Sequence, residues 1–267
     1  MAGETRLIDY SYARPTPADV TASGYVGVMR YLSFSEGKNL TKTEAKALHD
    51  RKLAIGLVWE TTATRATQGA GAEDHAKAEQ QAKALGYPDG CPIFYAVDED
   101  VAPVKVLAYF RGAYGAKRTH PVGTYGSKSV CEGVHGAGVT DYMWQTAAWS
   151  GGDLSPLAHV YQRIGHEAPP IPGGGYDENV VCNRLPMWGP DGVVHLAPPG
   201  DQPGHHDHPG KPTNPTKPAT PTHLGPLARR MIGWLTRRLD GIGPGGLDAA
   251  SNQDLAQLQR AIERTQK

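Results

Sequence analysis

Residues 91–117 read CPIFYAVDEDVAPVKVLAYFRGAYGAK. The run from Cys91 to Val97 is apolar and rich in β-branched and aromatic side chains, as a buried strand requires. Three acids follow it, Asp98, Glu99 and Asp100, and then APVKVLAYFRGAYGAK carries the spacing of a helix. A buried strand that delivers polar side chains at its C-terminal end and passes into a helix is one β/α unit.

The same alternation extends in both directions. RLIDYS is strand-like and precedes a short helical stretch from Pro17 to Ser23. YVGVMRYLS is a strand, and TKTEAKALHDRK opens with Thr41 and has Glu44 three residues later, the spacing of a capping box. AIGLVWE leads into the alanine-rich helix GAEDHAKAEQQAKALG, which Gly86 ends. PVGTYGS is a strand with a weaker helix from Ser129 to Gly136, and DYMWQTAAW, VYQRIGHE and YDENVVC close the series. Roughly seven or eight parallel strands in a domain of about 195 residues predict an α/β fold, a compact (β/α) TIM-like barrel. An open nucleotide-binding sheet is disfavoured, because no GxGxxG or GxxxxGK[ST] loop follows the first strand.

Composition divides the chain of 267 residues into three. The barrel is expected over residues 1–195. Residues 196–224, LAPPGDQPGHHDHPGKPTNPTKPATPTHL, are proline-dense and nearly devoid of apolar side chains, the signature of an extended linker. Within it, His205 to His208 read as solvated rather than metal-binding. Residues 225–267 read as two amphipathic helices, with Leu227, Met231, Leu235 and Leu239 on the first and Leu247, Leu255, Leu258 and Ile262 on the second. Such a hairpin is marginal alone and is expected to self-associate or to dock.

Lys plus Arg and Asp plus Glu are 27 each, so no net field steers the chain onto nucleic acid or acidic lipid. No apolar run is long enough to span a bilayer, and the opening MAGETRLIDYSYARP lacks the form of a signal peptide. The expectation is synthesis in the cytoplasm with no stable membrane insertion and no nucleic-acid partner. Cys91, Cys131 and Cys182 show no metal or redox spacing and read as buried thiols. No metal or organic cofactor is expected.

Barrel active sites lie at the C-terminal ends of the strands. The residues expected there are Asp9, Tyr10 and Ser11; Arg30, Tyr31 and Ser33; Trp59 and Glu60; Asp98, Glu99 and Asp100; Tyr125 and Ser127; Gln145 and Trp149; and Asp177, Glu178 and Asn179. Acids and aromatics converging on one mouth suit a carbohydrate cleft, in which rings stack on sugars and paired carboxylates cleave the glycosidic bond. If the fourth strand persists, Asp98 and Asp100 share a face and Glu99 points away. Alternatives stay open: Asp100 as a cap of the next helix, and Asp9 as a partner of Arg30.

IDYSYARP, FYAVDED, GTYGS, YMWQTAAWSGG and YDENVV, in this order, resemble the glycoside-hydrolase-like domain of actinobacteria and their phages, similar in fold to the family 25 muramidases. The resemblance covers about residues 5–188. It implies catalytic places for Asp9, Asp98, Asp100 and Asp177, with Asp100 standing where the muramidases carry Glu. Asp100 would protonate the leaving oxygen and Asp98 would stabilise the oxocarbenium charge or activate water. Glu60, Trp59, Tyr125, Gln145 and Tyr31 would contact substrate. The partner implied is bacterial cell-wall glycan. A barrel, a linker and a small terminal module without a signal peptide fit a phage endolysin released through a holin-type hole. The alternative is a barrel that binds wall glycan without cleaving it, for attachment or as a phage structural part.

Overall fold

The computed structural model describes residues 4–165, 170–172 and 174–200. The rest of the proline-rich segment and the two-helix segment 225–267 lie outside the described residues. Eight strands close a barrel: β1 (Arg6–Asp9), β2 (Gly27–Leu32), β3 (Ala54–Trp59), β4 (Ile93–Ala96), β5 (Val122–Gly126), β6 (Tyr142–Thr146), β7 (Val160–Gln162) and β8 (Asp177–Val181). Helices α1 (Pro17–Ala22), α2 (Lys42–His49), α3 (Gly71–Leu85), α4 (Leu107–Gly115) and α5 (Lys128–Gly136) follow the first five strands in turn. The chain is thus an α/β barrel of the TIM-like kind.

Strands β1 to β7 run parallel, each beside the next. β8 differs from the expectation of parallel units, since it pairs antiparallel with both β7 and β1. The cause is local. A parallel return needs a crossover of a dozen or more residues, usually a helix. The segment after Gln162 is rich in proline and glycine and cannot supply one. Consequently β8 begins, rather than ends, at the mouth, with Asp177 in register with Asp9.

A hairpin not foreseen in the sequence, β9 (Leu185–Gly189) and β10 (Gly192–Leu196), attaches to β3 through the pair Ile55 and Trp188. Its turn is GPDG, a combination suited to a tight reversal, with Gly192 at φ 119°.

Two apolar layers result. Leu7, Met29, Val58, Phe94, Tyr125, Trp144, Val160 and Val181 fill the inside of the barrel, and Leu185 and Met187 of β9 pack in the same cluster. Ile8, Val28, Leu32, Ile55, Leu57, Trp59, Tyr95 and Phe110 belong to the layer between strands and helices. Strand alternation assigns each strand residue to one layer or the other. Room inside is made by Gly123, where any Cβ would collide with the Phe94 ring. Thr41 caps α2 by accepting from Glu44 N at 3.1 Å. The Glu44 carboxylate does not complete the capping box; it turns instead to the buried Arg30, accepting from its Nε at 2.7 Å. Cys91 and Cys131 are buried free thiols and Cys182 is half-buried.

Candidate active site

The inner faces of β1, β2, β5, β7 and β8 bring polar groups together at the C-terminal end of the parallel strands. Asp9, the last residue of β1, is buried there with 1% of its surface exposed. Its Oδ2 accepts from Gln162 Nε2 at 2.9 Å and from Asn179 Nδ2 at 2.8 Å, and its Oδ1 accepts from Tyr31 hydroxyl at 3.1 Å. Three strands therefore hold one carboxylate.

The two amides are themselves anchored. Trp144 Nε1 donates to Asn179 Oδ1 at 2.7 Å. An indole N–H can only donate, so this bond fixes Asn179 with its NH2 toward Asp9. Tyr125 hydroxyl donates to Gln162 Oε1 at 2.7 Å, which orients that amide in the same sense.

Burial pushes the Asp9 carboxyl from 3.8 up to about 7. The amide of Asn179 opposes this, the charge of Asp177 adds to it, and the bonds from Gln162 and Tyr31 oppose it again. Desolvation wins because it acts on the whole carboxylate, whereas neutral donors return only part of the lost hydration. Tyr31 is held well above its ordinary range, first by burial and then by the Asp9 charge. Tyr125 is raised well above its ordinary range, first by burial and then by the charges of Asp9 and Asp98.

The acids after β4 separate. Regular β4 stops at Ala96, yet Val97 N still bonds Tyr125 O at 2.9 Å, so alternation carries one residue further. Asp98 then follows Phe94 and Ala96 on the inner face and is half-buried. The chain bends at Glu99, and Asp100 is exposed at the rim. The shared strand face expected for Asp98 and Asp100 is therefore not continuous, because the strand ends before Asp100. One oxygen of Glu99, Oε1, is buried without a hydrogen-bond partner.

Other expected residues fall in different places. Glu60 reaches the mouth, where its charge acts on Tyr31 and Tyr125, but it is paired with Lys38 Nζ. That ammonium also lies 4.5 Å from the Tyr31 ring centroid. Asp177 is exposed at the start of β8. Trp59 is a correction: it shares the outward face of β3 with Ile55 and Leu57, is buried, and meets the Phe34 ring edge-on at 5.2 Å. Gln145 is another. It lies on the face of β6 opposite Trp144, donates to Asp153 O at 2.7 Å and accepts from Ser155 N at 2.8 Å, so it braces a loop. Arg30 partners Glu44 and not Asp9, because its parity with Val28 and Leu32 turns it outward.

Gln162 and Lys38 complete the site but were not singled out in the sequence, whereas Asn179 was among the residues expected at the last strand. β7 is only three residues long, too short for alternation to mark Gln162. Among the described residues no group of three or more His, Cys, Asp or Glu side chains is arranged to hold a metal ion.

The sequence model of the Rv2525c-like, glycoside hydrolase-like domain matches residues 18–180. Among solved structures, the Mycobacterium tuberculosis Tat-secreted protein Rv2525c in complex with L-tartrate is 23% identical with a TM-score of 0.60, over 67% of this chain and 96% of that one. The complex of the same protein with HEPES gives 22% and 0.59, over 66% and 95%. The muramidase from Trichobolus zukalii aligns at 13% identity and a TM-score of 0.47, over 66% of this chain and 93% of that one. No curated protein sequence matches the chain. Likeness at these identities shows the fold alone.

Proposed function

The chain belongs to the Rv2525c-like, glycoside hydrolase-like domain family, and from that premise we propose that it is a glycosidase of bacterial cell-wall glycan, working through the carboxylates of its barrel mouth. The observation that carries this reading is the convergence there of Asp9, Asp98 and Asp177 with Tyr31 and Tyr125, one carboxylate being clamped from three strands.

Asp98, half-buried on the inner face, meets the sugar at the scissile bond. It stabilises the oxocarbenium charge or takes a proton from the attacking water. Asp100, at the rim, gives its proton to the leaving oxygen. Hydroxide from water ends on the anomeric carbon, so each cleavage consumes one water and leaves one new reducing end. Asp9 is too buried to touch substrate and acts as a positioning group. It fixes the Tyr31 hydroxyl and, with a carboxyl raised to about 7, is only partly ionised at neutral pH. This limits the repulsion among the acids around Asp98. Glu60 and Tyr125 line the substrate side, and Asp177 adds charge at the rim. No cofactor enters the scheme.

The wider role proposed is lysis of an actinobacterial wall by an endolysin-type protein, with exit from the infected cell through a holin-type hole. The Tat-secreted relative supports action outside the cytoplasm. The proline-rich sequence and the amphipathic spacing read in residues 225–267 support a tethered, self-associating module. A second reading, glycan binding without cleavage, is favoured by the pairing of Glu60 with Lys38 and by the exposed position of Asp100. Reducing-end release from purified actinobacterial walls separates the two. The hydrolase releases ends and Asp98→Asn does not, whereas a binder sediments with the walls and releases none.

A further inference from the structure

We propose that Trp149 is a rigid aromatic platform for one pyranose ring of a glycan chain lying across the barrel mouth, and that it decides which chains the site accepts. This rests on the wall-glycan reading above. Trp149 follows the end of β6 at the mouth, is 44% exposed, and has φ 56°. A bulky side chain is disfavoured in that left-handed region. Gly151 and Gly152 beside it also take positive φ, where glycine fits without strain. Between Ala147 and Gly152, Trp149 is the residue that presents an exposed side chain to solvent.

The loop is built to hold that conformation. Ala147 N bonds Gln162 O at 2.9 Å, and Ala148 N bonds Thr146 Oγ1 at 3.2 Å. The buried Ser150 hydroxyl donates to Thr146 O at 2.6 Å and accepts from Lys128 N at 2.9 Å. Gln145 closes the far side through Asp153 O and Ser155 N. Surroundings that over-determine a strained residue are typical of functional positions. Gln162 is also the residue whose side chain holds Asp9, so platform and floor share one strand end.

A second aromatic edge stands opposite. In barrel order β1 and β2 lie across from β5 and β6. The loops after β1 and β2 expose Tyr12 at 64% and Phe34 at 57%, and Phe34 is backed by Trp59. The carboxylate and amide floor lies between these edges. A sugar chain offers apolar C–H faces to both edges and hydroxyl or acetamido groups to the floor. A chain with sugars on both sides of the floor touches both edges, whereas a disaccharide does not.

The test uses the full chain with peptide-free glycan strands prepared from peptidoglycan, and an N-acetylglucosamine disaccharide for comparison. Affinity by titration calorimetry is measured with melting temperature for wild type, Trp149→Ala, Trp149→Phe and Trp149→Gly. Wild type is expected to favour strands, Trp149→Ala to lose about 3- to 10-fold on strands, and Trp149→Phe to recover most of it. Trp149→Gly is expected to lose the same affinity yet to melt about 2–4 °C above Trp149→Ala, because glycine relieves the backbone. Wild type that binds strands no better than Trp149→Ala does overturns the platform alone. A Trp149→Gly protein melting below Trp149→Ala overturns the strained-platform argument. Wild type that binds neither ligand overturns the wall-glycan reading and the platform with it.

Discussion

The amide of Asn179 donates to the carboxylate of Asp9 at 2.8 Å, joining side chains 170 residues apart in the chain. The bond exists because β8 runs antiparallel to β1 and pairs Asn179 with Leu7, two positions from the barrel mouth on the inner face. Trp144 fixes its direction. Asp9 therefore sits in an oriented cage of neutral donors with its charge largely desolvated.

That cage gives the fold a pH dependence of definite sign. The Asp9 carboxyl lies near 3.8 when solvated and at about 7 when folded. Between these values the folded state holds a proton that the unfolded chain has lost, so stability falls as pH rises from about 4 to about 7 and then levels. Asp9→Asn removes this loss, which is roughly 4 kcal/mol at its largest. The variant is expected to melt higher than wild type at pH 8 and near wild type at pH 4, by thermal denaturation at the two pH values. Equal pH dependence in both proteins would contradict the buried carboxyl.

Asn179→Asp keeps an acceptor for the Trp144 indole but exchanges a donor on Asp9 for a second carboxylate. The Asp9 carboxyl should then titrate more than about one unit higher, since one unit corresponds to only about 1.4 kcal/mol and like charges in contact exceed that. Carbon-13 NMR of labelled aspartate carboxyls reads this directly, and an unmoved Asp9 titration would refute the contact.

Arg30 is fully buried, with its guanidinium on Glu44 and 4.2 Å from the Tyr10 ring centroid. Glu44→Ala strands that cation in the layer between strands and helices. Breaking a buried pair from one side costs about 3–5 kcal/mol. A lowered urea midpoint with an unchanged slope is the expected result, and a loss below about 1 kcal/mol would show that the pair is effectively solvated.

Gly123→Ala drives a methyl into the Phe94 ring inside the barrel. Overpacking of this kind costs about 1–3 kcal/mol, and Phe94→Leu in the same chain should recover part of it. Denaturant unfolding of the single and double variants checks the coupling; strict additivity would argue against the collision.

The barrel was legible because β1 to β5 each deliver a strand and then a helix, and residues 91–117 state that pattern in full. The direction of β8 was not, since a five-residue alternation carries no arrow and only the missing crossover helix decides it. Asp9 and Asp98 were readable as strand-end acids on the inner face. Trp59 and Gln145 were misplaced because composition names a residue at a strand end without saying which face it takes. Parity against Val58 and Trp144 would have turned both outward. The Lys38–Glu60 pair was hidden because Lys38 lies on a loop, where no period applies.

The most direct measurement takes purified full-length protein and its Asp98→Asn, Asp100→Asn double variant on the same actinobacterial walls. It follows reducing-end release and wall sedimentation together. The account predicts that both proteins sediment with the walls and that only the wild type releases reducing ends. Undiminished release by the double variant, or binding without release by the wild type, would contradict it.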